Sequence, residues 1–355
     1  MRVFLAAVLG GMLVAAAGAA APGTKNLPTL ATGGPVTALV ADGDRAAFVV
    51  RVTDPNSACA GVKLWEPRRG RVVRLQRPCP AGESDGEGTF GIALAGTRAA
   101  WLWTAGGNIL ETNVMTATLA RPKPVFVGTG GADHSGVGTF SRSPVGDGTL
   151  LVYTYERRCD SYGDANGSPE LQCPTGKKTG DVIAASIWQL AGRAHCPGAS
   201  FGHCSRVAKA DGQLTVLAVD AGRIAVGTEA AVRLITASGR LLHEFPVKAR
   251  SAALSGNRLA VRTAAAVAVY DAETGDLLNS LPAEKGLRLQ DFDSGILVTA
   301  SGGTVTFRRL GAGRKTTIRP GGTAFAQLER SGLFIAARGR LTFTPMPDIL
   351  RLLGA

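Results

Sequence analysis

The 355-residue sequence predicts an all-β chain, a single β-propeller of seven four-stranded blades. Three observations carry that prediction. The stretch Leu254 to Leu281 holds three short apolar runs, ended by turn signals at Ser255-Gly256-Asn257, Thr263-Ala264-Ala265 and Asp271 to Asp276. The same strand–turn–strand beat recurs with turn glycines at positions 43, 96, 148, 222, 256, 295 and 332. Leu259-Ala-Val and Ala266-Val-Ala-Val-Tyr270 are apolar at consecutive positions, so both faces of these strands should be buried. A meander buried on both faces needs a similar sheet on each side, and a ring of repeated blades supplies one.

Residues 1–21 stand apart from the repeats. Arg2 gives a basic start, Val3 to Ala17 is apolar, and Ala17-Gly-Ala-Ala-Ala21 supplies small residues before Pro22. That is the pattern of a secretory signal peptide cut after Ala19 or Ala20, so residues 22–355 form the propeller domain and the mature protein is expected to be secreted or extracytoplasmic. An uncleaved membrane anchor is the alternative, since the apolar run approaches spanning length.

The last three turn-to-turn intervals are 34, 39 and 37 residues, the length of a four-stranded blade. The first three, at 53, 52 and 74, carry insertions. The largest interrupts the third blade at about 157–187, followed by a cysteine-rich segment at 195–204. Third strands are expected at Gly61–Trp65, Glu111–Met115, Ile183–Trp188, Ala231–Ile235, Ala266–Tyr270, Thr304–Phe307 and Arg340–Phe343. More polar outer strands are read at Arg71–Leu75 and Arg240–Phe245, and the glycine clusters Gly128–Gly131 and Gly321-Gly322 as turns. The last unit lacks a fourth strand. Lys25 to Leu30 could pair there and close the ring, or Asp348 to Leu353 could supply the strand or a terminal helix.

Tyr270-Asp271-Ala-Glu-Thr274-Gly275-Asp276 resembles the Asp-x-x-Thr-Gly turn of quinoprotein-like repeats, with Asn279 where those repeats place a tryptophan. With the repeat rhythm of residues 35–345, the chain is similar to the WD40/quinoprotein-like β-propellers. The resemblance implies a propeller fold; it implies no cofactor, and propellers host enzymes and scaffolds alike.

Lys and Arg number 39 against 27 Asp and Glu, a formal charge of +12 that falls to about +11 without Arg2. Such a surplus favours anionic partners. Export and the lack of a recognised module argue against nucleic acid. The six cysteines, Cys59, Cys79, Cys159, Cys173, Cys196 and Cys204, read as disulfides in an exported chain. Sequential pairing closes the shortest loops, each contributing about 2–4 kcal/mol in the chain-entropy model. The doubled pair His195-Cys196 and His203-Cys204 offers zinc ligands, at spacings unlike those of structural zinc sites.

Glu83, Asp85 and Glu87, then Asp133 and His134, lie in loops that lead into the second and third blades. They are the candidate general acids and bases. No metal or cofactor is expected. The reading is a monomeric binding or scaffolding module for a protein or an anionic cell-envelope polymer. The alternative is a propeller hydrolase or lyase built on those five residues.

Overall fold

In a computed structural model of the chain, residues 27–51, 60–76, 88–106, 110–132, 138–158, 178–186 and 204–354 are described. The first described strand, β1 (Thr29–Ala31), belongs to the last blade. Blade 1 is β2 (Val36–Asp42), β3 (Arg45–Arg51), β4 (Ala60–Glu66) and β5 (Arg71–Gln76). Blade 2 is β6 (Gly88–Ala95), β7 (Arg98–Ala105), β8 (Leu110–Thr118) and β9 (Val125–Ala132). Blade 3 is β10 (Gly138–Asp147), β11 (Leu150–Arg158), β12 (Lys178–Ser186) and β13 (Cys204–Asp211). Blade 4 is β14 (Thr215–Asp220), β15 (Arg223–Gly227), β16 (Val232–Thr236) and β17 (Leu241–Phe245). Blade 5 is β18 (Ser251–Ser255), β19 (Arg258–Arg262), β20 (Ala266–Asp271) and β21 (Leu277–Pro282). Blade 6 is β22 (Arg288–Asp293), β23 (Ile296–Ser301), β24 (Thr304–Arg309) and β25 (Lys315–Ile318). Blade 7 is β26 (Phe325–Glu329), β27 (Gly332–Ala337) and β28 (Arg340–Pro345), followed by helix α1 (Met346–Leu352).

Each blade is an antiparallel meander, and β1 supplies the fourth strand of blade 7, with Thr29 opposite Thr342 and Ala31 opposite Arg340. The ring therefore closes through the N-terminal side of the chain, as Lys25–Leu30 suggested. The chain's end forms a helix, the other option read for Asp348–Leu353. Blades 2 and 3 run together into one eight-stranded sheet through a single pair, Gly138 opposite Ala132. Seven blades stand where the seven turn glycines placed them.

The core lies between blades. Leu259, Ala260 and Val261 are buried on both faces of β19, the odd positions packing toward blade 4 and Ala260 toward blade 6. Trp101 fills the gap between blades 1 and 2, and its indole N–H donates to Gln76 Oε1. The alternation that decides burial is thus read by the neighbouring blades, which is why continuous apolar triplets marked these strands.

Two readings need correction. Gly128–Gly131 is not a turn; it lies inside β9. A side chain at Gly128 would meet the Tyr153 hydroxyl at 2.7 Å, and one at Gly130 the Thr139 carbonyl at 2.8 Å, so these glycines serve close approach rather than chain reversal. The third strand of blade 3 begins at Lys178, inside the stretch read as insertion. Its polar start concealed it: Asp181 is buried, held by Arg157 at 3.4 Å and Arg206 at 3.3 Å, so a charge occupies a strand-core position by pairing.

Candidate functional site

An antiparallel meander puts the turns after the first and third strands at one face of the ring and all other connections at the opposite face. At the first face the central channel opens into a cavity of 530 Å³, walled by the ends of the first strands. Five of those seven strands end in an acid: Asp42, Asp147, Asp220, Asp293 and Glu329. Blade 2 ends in Ala95 and blade 5 in Ser255. The residue before a tight turn is a favoured place for Asp, and the repeat copies it around the ring.

These carboxylates join one blade to the next. Asp147 Oδ2 accepts the Ala221 amide at 2.8 Å, and Asp220 Oδ2 accepts the Gly256 amide at 2.8 Å. The Ser255 hydroxyl donates to Asp293 Oδ1 at 2.6 Å. Glu329 Oε2 accepts the Gly43 amide at 3.2 Å, bridging blade 7 to blade 1. Asp42 Oδ2 accepts from both Gly96 and Gly148. Between blades 6 and 7 the device moves inward: Asp291 Oδ2 accepts the Leu328 amide at 2.8 Å and Gln290 Oε1 the Ala326 amide at 3.1 Å.

Crowding raises the proton affinity of the mouth. Burial, then the charges of Asp291, Asp42 and Asp293, pushes Glu329 up to about 9, against the pull of the Gly43 amide. Burial pushes Asp291 up to about 7 although the Leu328 and Phe292 amides favour its charged form. Asp147 is also raised, by burial first and by Asp42 and Asp220 next. Among the described residues no three His, Cys, Asp or Glu side chains are grouped to hold a metal ion. The ring fastens backbone amides from blade to blade.

The opposite face uses cations in the mirror role. Lys63 Nζ donates to the Thr32 carbonyl at 2.6 Å, Arg262 Nε to Leu287 at 3.3 Å, and Arg288 Nη2 to Ala324 at 2.8 Å. Each carbonyl lies just before a first strand.

The candidate residues Glu83, Asp85, Glu87, Asp133 and His134 lie outside the described residues, as do Cys59, Cys79, Cys159, Cys173 and Cys196. Their connections are anchored at Gln76 and Gly88, and at Ala132 and Gly138, on the face away from the acidic mouth. Cys204 stands at the start of β13. The mouth acids were visible in the sequence only as turn residues. The signal that would have found them is an acid one to three residues before the turn glycine, three residues ahead of the start of each second strand, repeated in five units.

No protein-family model and no curated protein matches the sequence. Solved structures do. A chain of the mitotic checkpoint complex superposes with a TM-score of 0.53 at 14% identity, over 95% of this chain and 99% of that one. The chain is a seven-bladed β-propeller. Raptor from Chaetomium thermophilum gives 0.51 at 11% identity, over 89% of this propeller but only 28% of Raptor. BamB from Moraxella catarrhalis gives 0.45 at 12% identity, over 87% and 82%. The propeller expected from the repeats is therefore the fold found, and these likenesses reach no further than the fold.

Proposed function

We propose that this propeller is an extracytoplasmic binding or scaffolding module whose cationic outer surface takes an anionic polymer of the cell envelope. The observation that carries the reading is the stretch 294–328. It contains Arg308, Arg309, Arg314, Lys315 and Arg319 and no acid, and none of those cations pairs with a carboxylate among the described residues. Meanwhile nine of the 27 acids are spent internally: Asp42, Asp147, Asp220, Asp291, Asp293 and Glu329 at the mouth, and Glu66, Glu156 and Asp181 in buried positions beside arginines. The cations of 308–319 keep their charge without an acid in their own stretch, which steers anions toward them. Export rests on the signal-like residues 1–21. A propeller of similar fold is a component of the mitotic checkpoint complex, a precedent that suits scaffolding.

The test is a pull-down from the native cell envelope with residues 22–355, repeated at raised salt. A retained polymer that is released by salt, and lost when the five cations of 308–319 become Gln, supports the reading. Capture of a protein instead, or turnover of any glycan or lactone offered, overturns it in favour of a protein scaffold or a propeller enzyme.

A further inference from the structure

Blades fan apart as they leave the channel, and the wedge between blades 6 and 7 is left unfilled. The outer strand of blade 6, β25, is only four residues long, and α1 closes one end of the gap. The result is a cavity of 670 Å³, within the size of small-molecule sites. Phe307 and Ile318 wall it on blade 6, Leu333 and Ile335 on blade 7, and Ile349 and Leu352 on the helix. Leu352 is 59% exposed and forms an apolar lip, while Phe307, Leu333, Ile335 and Ile349 are buried. The cleft runs along β27, roughly 13 Å from Leu333 to Ala337 at the usual strand rise.

Its far end is charged. Arg338 and Arg340 line the opening where β27 turns into β28. Neither makes an ion pair or a side-chain hydrogen bond among the described residues. Arg338 holds a left-handed φ of +49°, which Gly or Asn would adopt more cheaply. Its guanidinium lies over Gly321, where a side chain would come within 2.3 Å of Nη2. An apolar slot with two unpaired guanidiniums at one end matches an extended hydrocarbon tail carrying an anionic head, of which a carboxylate, which Arg binds in a forked, charge-assisted pair, is the smallest.

We infer that the cleft between blades 6 and 7 is a binding site for a long-chain carboxylate, tail toward Ile349 and head at Arg338 and Arg340. The site does not rest on the polymer reading, because it uses neither the channel nor the five cations of 308–319. A variant with those five changed to Gln should lose the polymer and keep the carboxylate.

The experiment is a calorimetric titration of the purified protein with laurate, with lauryl alcohol as the uncharged tail and acetate as the head without a tail. Laurate should saturate at one per chain, the alcohol should bind about tenfold more weakly, and acetate should not bind. Ala337→Trp, or Thr316→Trp on the facing wall, should abolish laurate binding in a protein whose circular dichroism is unchanged. The pair Arg338→Gln and Arg340→Gln should reduce laurate to the affinity of the alcohol. Absence of saturable laurate binding, equal affinity for the alcohol, or binding untouched by both Trp variants overturns the inference. So does binding seen only after the residues preceding Leu27 are removed, or only in competition with self-association, since the occupant is then the chain's own segment or a second copy.

Discussion

The carboxylate of Asp42, in blade 1, accepts the backbone N–H of Gly148, in blade 3, at 2.7 Å. The same oxygen accepts the Gly96 amide of blade 2. Blade 2 has Ala95 at the position where its neighbours carry an acid, so Asp42 does the work of two latches.

Asp42→Ala should therefore weaken the fold more than removal of another latch. Loss of two charge-assisted bonds leaves two turn amides without their acceptor and should cost about 2–4 kcal/mol. Asp147→Ala, which frees only the Ala221 amide, should cost roughly half as much. Urea denaturation of both variants checks the ratio. Equal losses would mean that Gly96 and Gly148 do not share the one carboxylate in solution.

The same crowding predicts how stability changes with pH. Glu329 is held up to about 9 by burial and by Asp291, Asp42 and Asp293, whereas an unfolded Glu titrates at about 4.3. Between those values the folded chain keeps a proton that the unfolded chain releases. Stability contributed here is complete below about pH 4 and is lost as pH rises toward 9. Asp291, raised to about 7, adds the same sign over a narrower window. The melting temperature should fall from about pH 5 to about pH 9, and Glu329→Gln should flatten the slope and stabilise the alkaline form. After discount for solvent at the half-open mouth, the gain should be on the order of 2 kcal/mol. A variant with an unchanged pH slope would place the proton elsewhere.

The disulfide expectation also becomes sharper. Cys204 sits opposite Ala185, at the end of blade 3 that carries the connection of residues 187–203. The connection holding Cys159 and Cys173 is anchored at Arg158 and Lys178, at the other end of strands nine residues long. That separation is roughly 25–30 Å along the strand. The prediction is a Cys196–Cys204 bridge, with the other four cysteines also paired and no free thiol. Mass spectrometry of non-reduced peptides decides it, and a Cys204 peptide joined to Cys59 or Cys79 would refute the local pairing.

The sequence disclosed what is local and hid what closes only in space. Gly43, Gly148 and Gly256 take left-handed φ values of 62°, 54° and 55°, and that demand made the turns legible. The start of β12 was missed because Asp181 looks like a loop residue until Arg157 and Arg206 are brought to it from other strands. Asp42, Asp147, Asp220 and Glu329 were each visible beside a turn, but their convergence depends on ring closure by β1. The cleft of blades 6 and 7 was invisible for the same reason, since its walls come from Phe307 and Leu333 on different sheets.

The Asp-x-x-Thr-Gly turn supplies the last prediction. Asp271 Oδ1 accepts the Glu273 and Thr274 amides at 2.8 and 3.0 Å, and the Thr274 amide, then that of Glu273, holds its carboxyl below the usual range. Gly275 follows with φ at +81°. It also forms the floor on which blade 4 rests: a side chain there would overlap the His243 imidazole, whose ring packs at a tilt against Phe245, which in turn packs at a tilt against Tyr270 of blade 5. Gly275→Ala must pay twice, in left-handed strain of about 1 kcal/mol and in displacement of the imidazole. The expected loss is roughly 2–3 kcal/mol by urea denaturation. Combining it with His243→Ala should recover the steric part and leave the strain, so the double variant should be less destabilised than the sum of the singles. Strict additivity would show that the imidazole moves aside freely and that the glycine is there for its backbone alone.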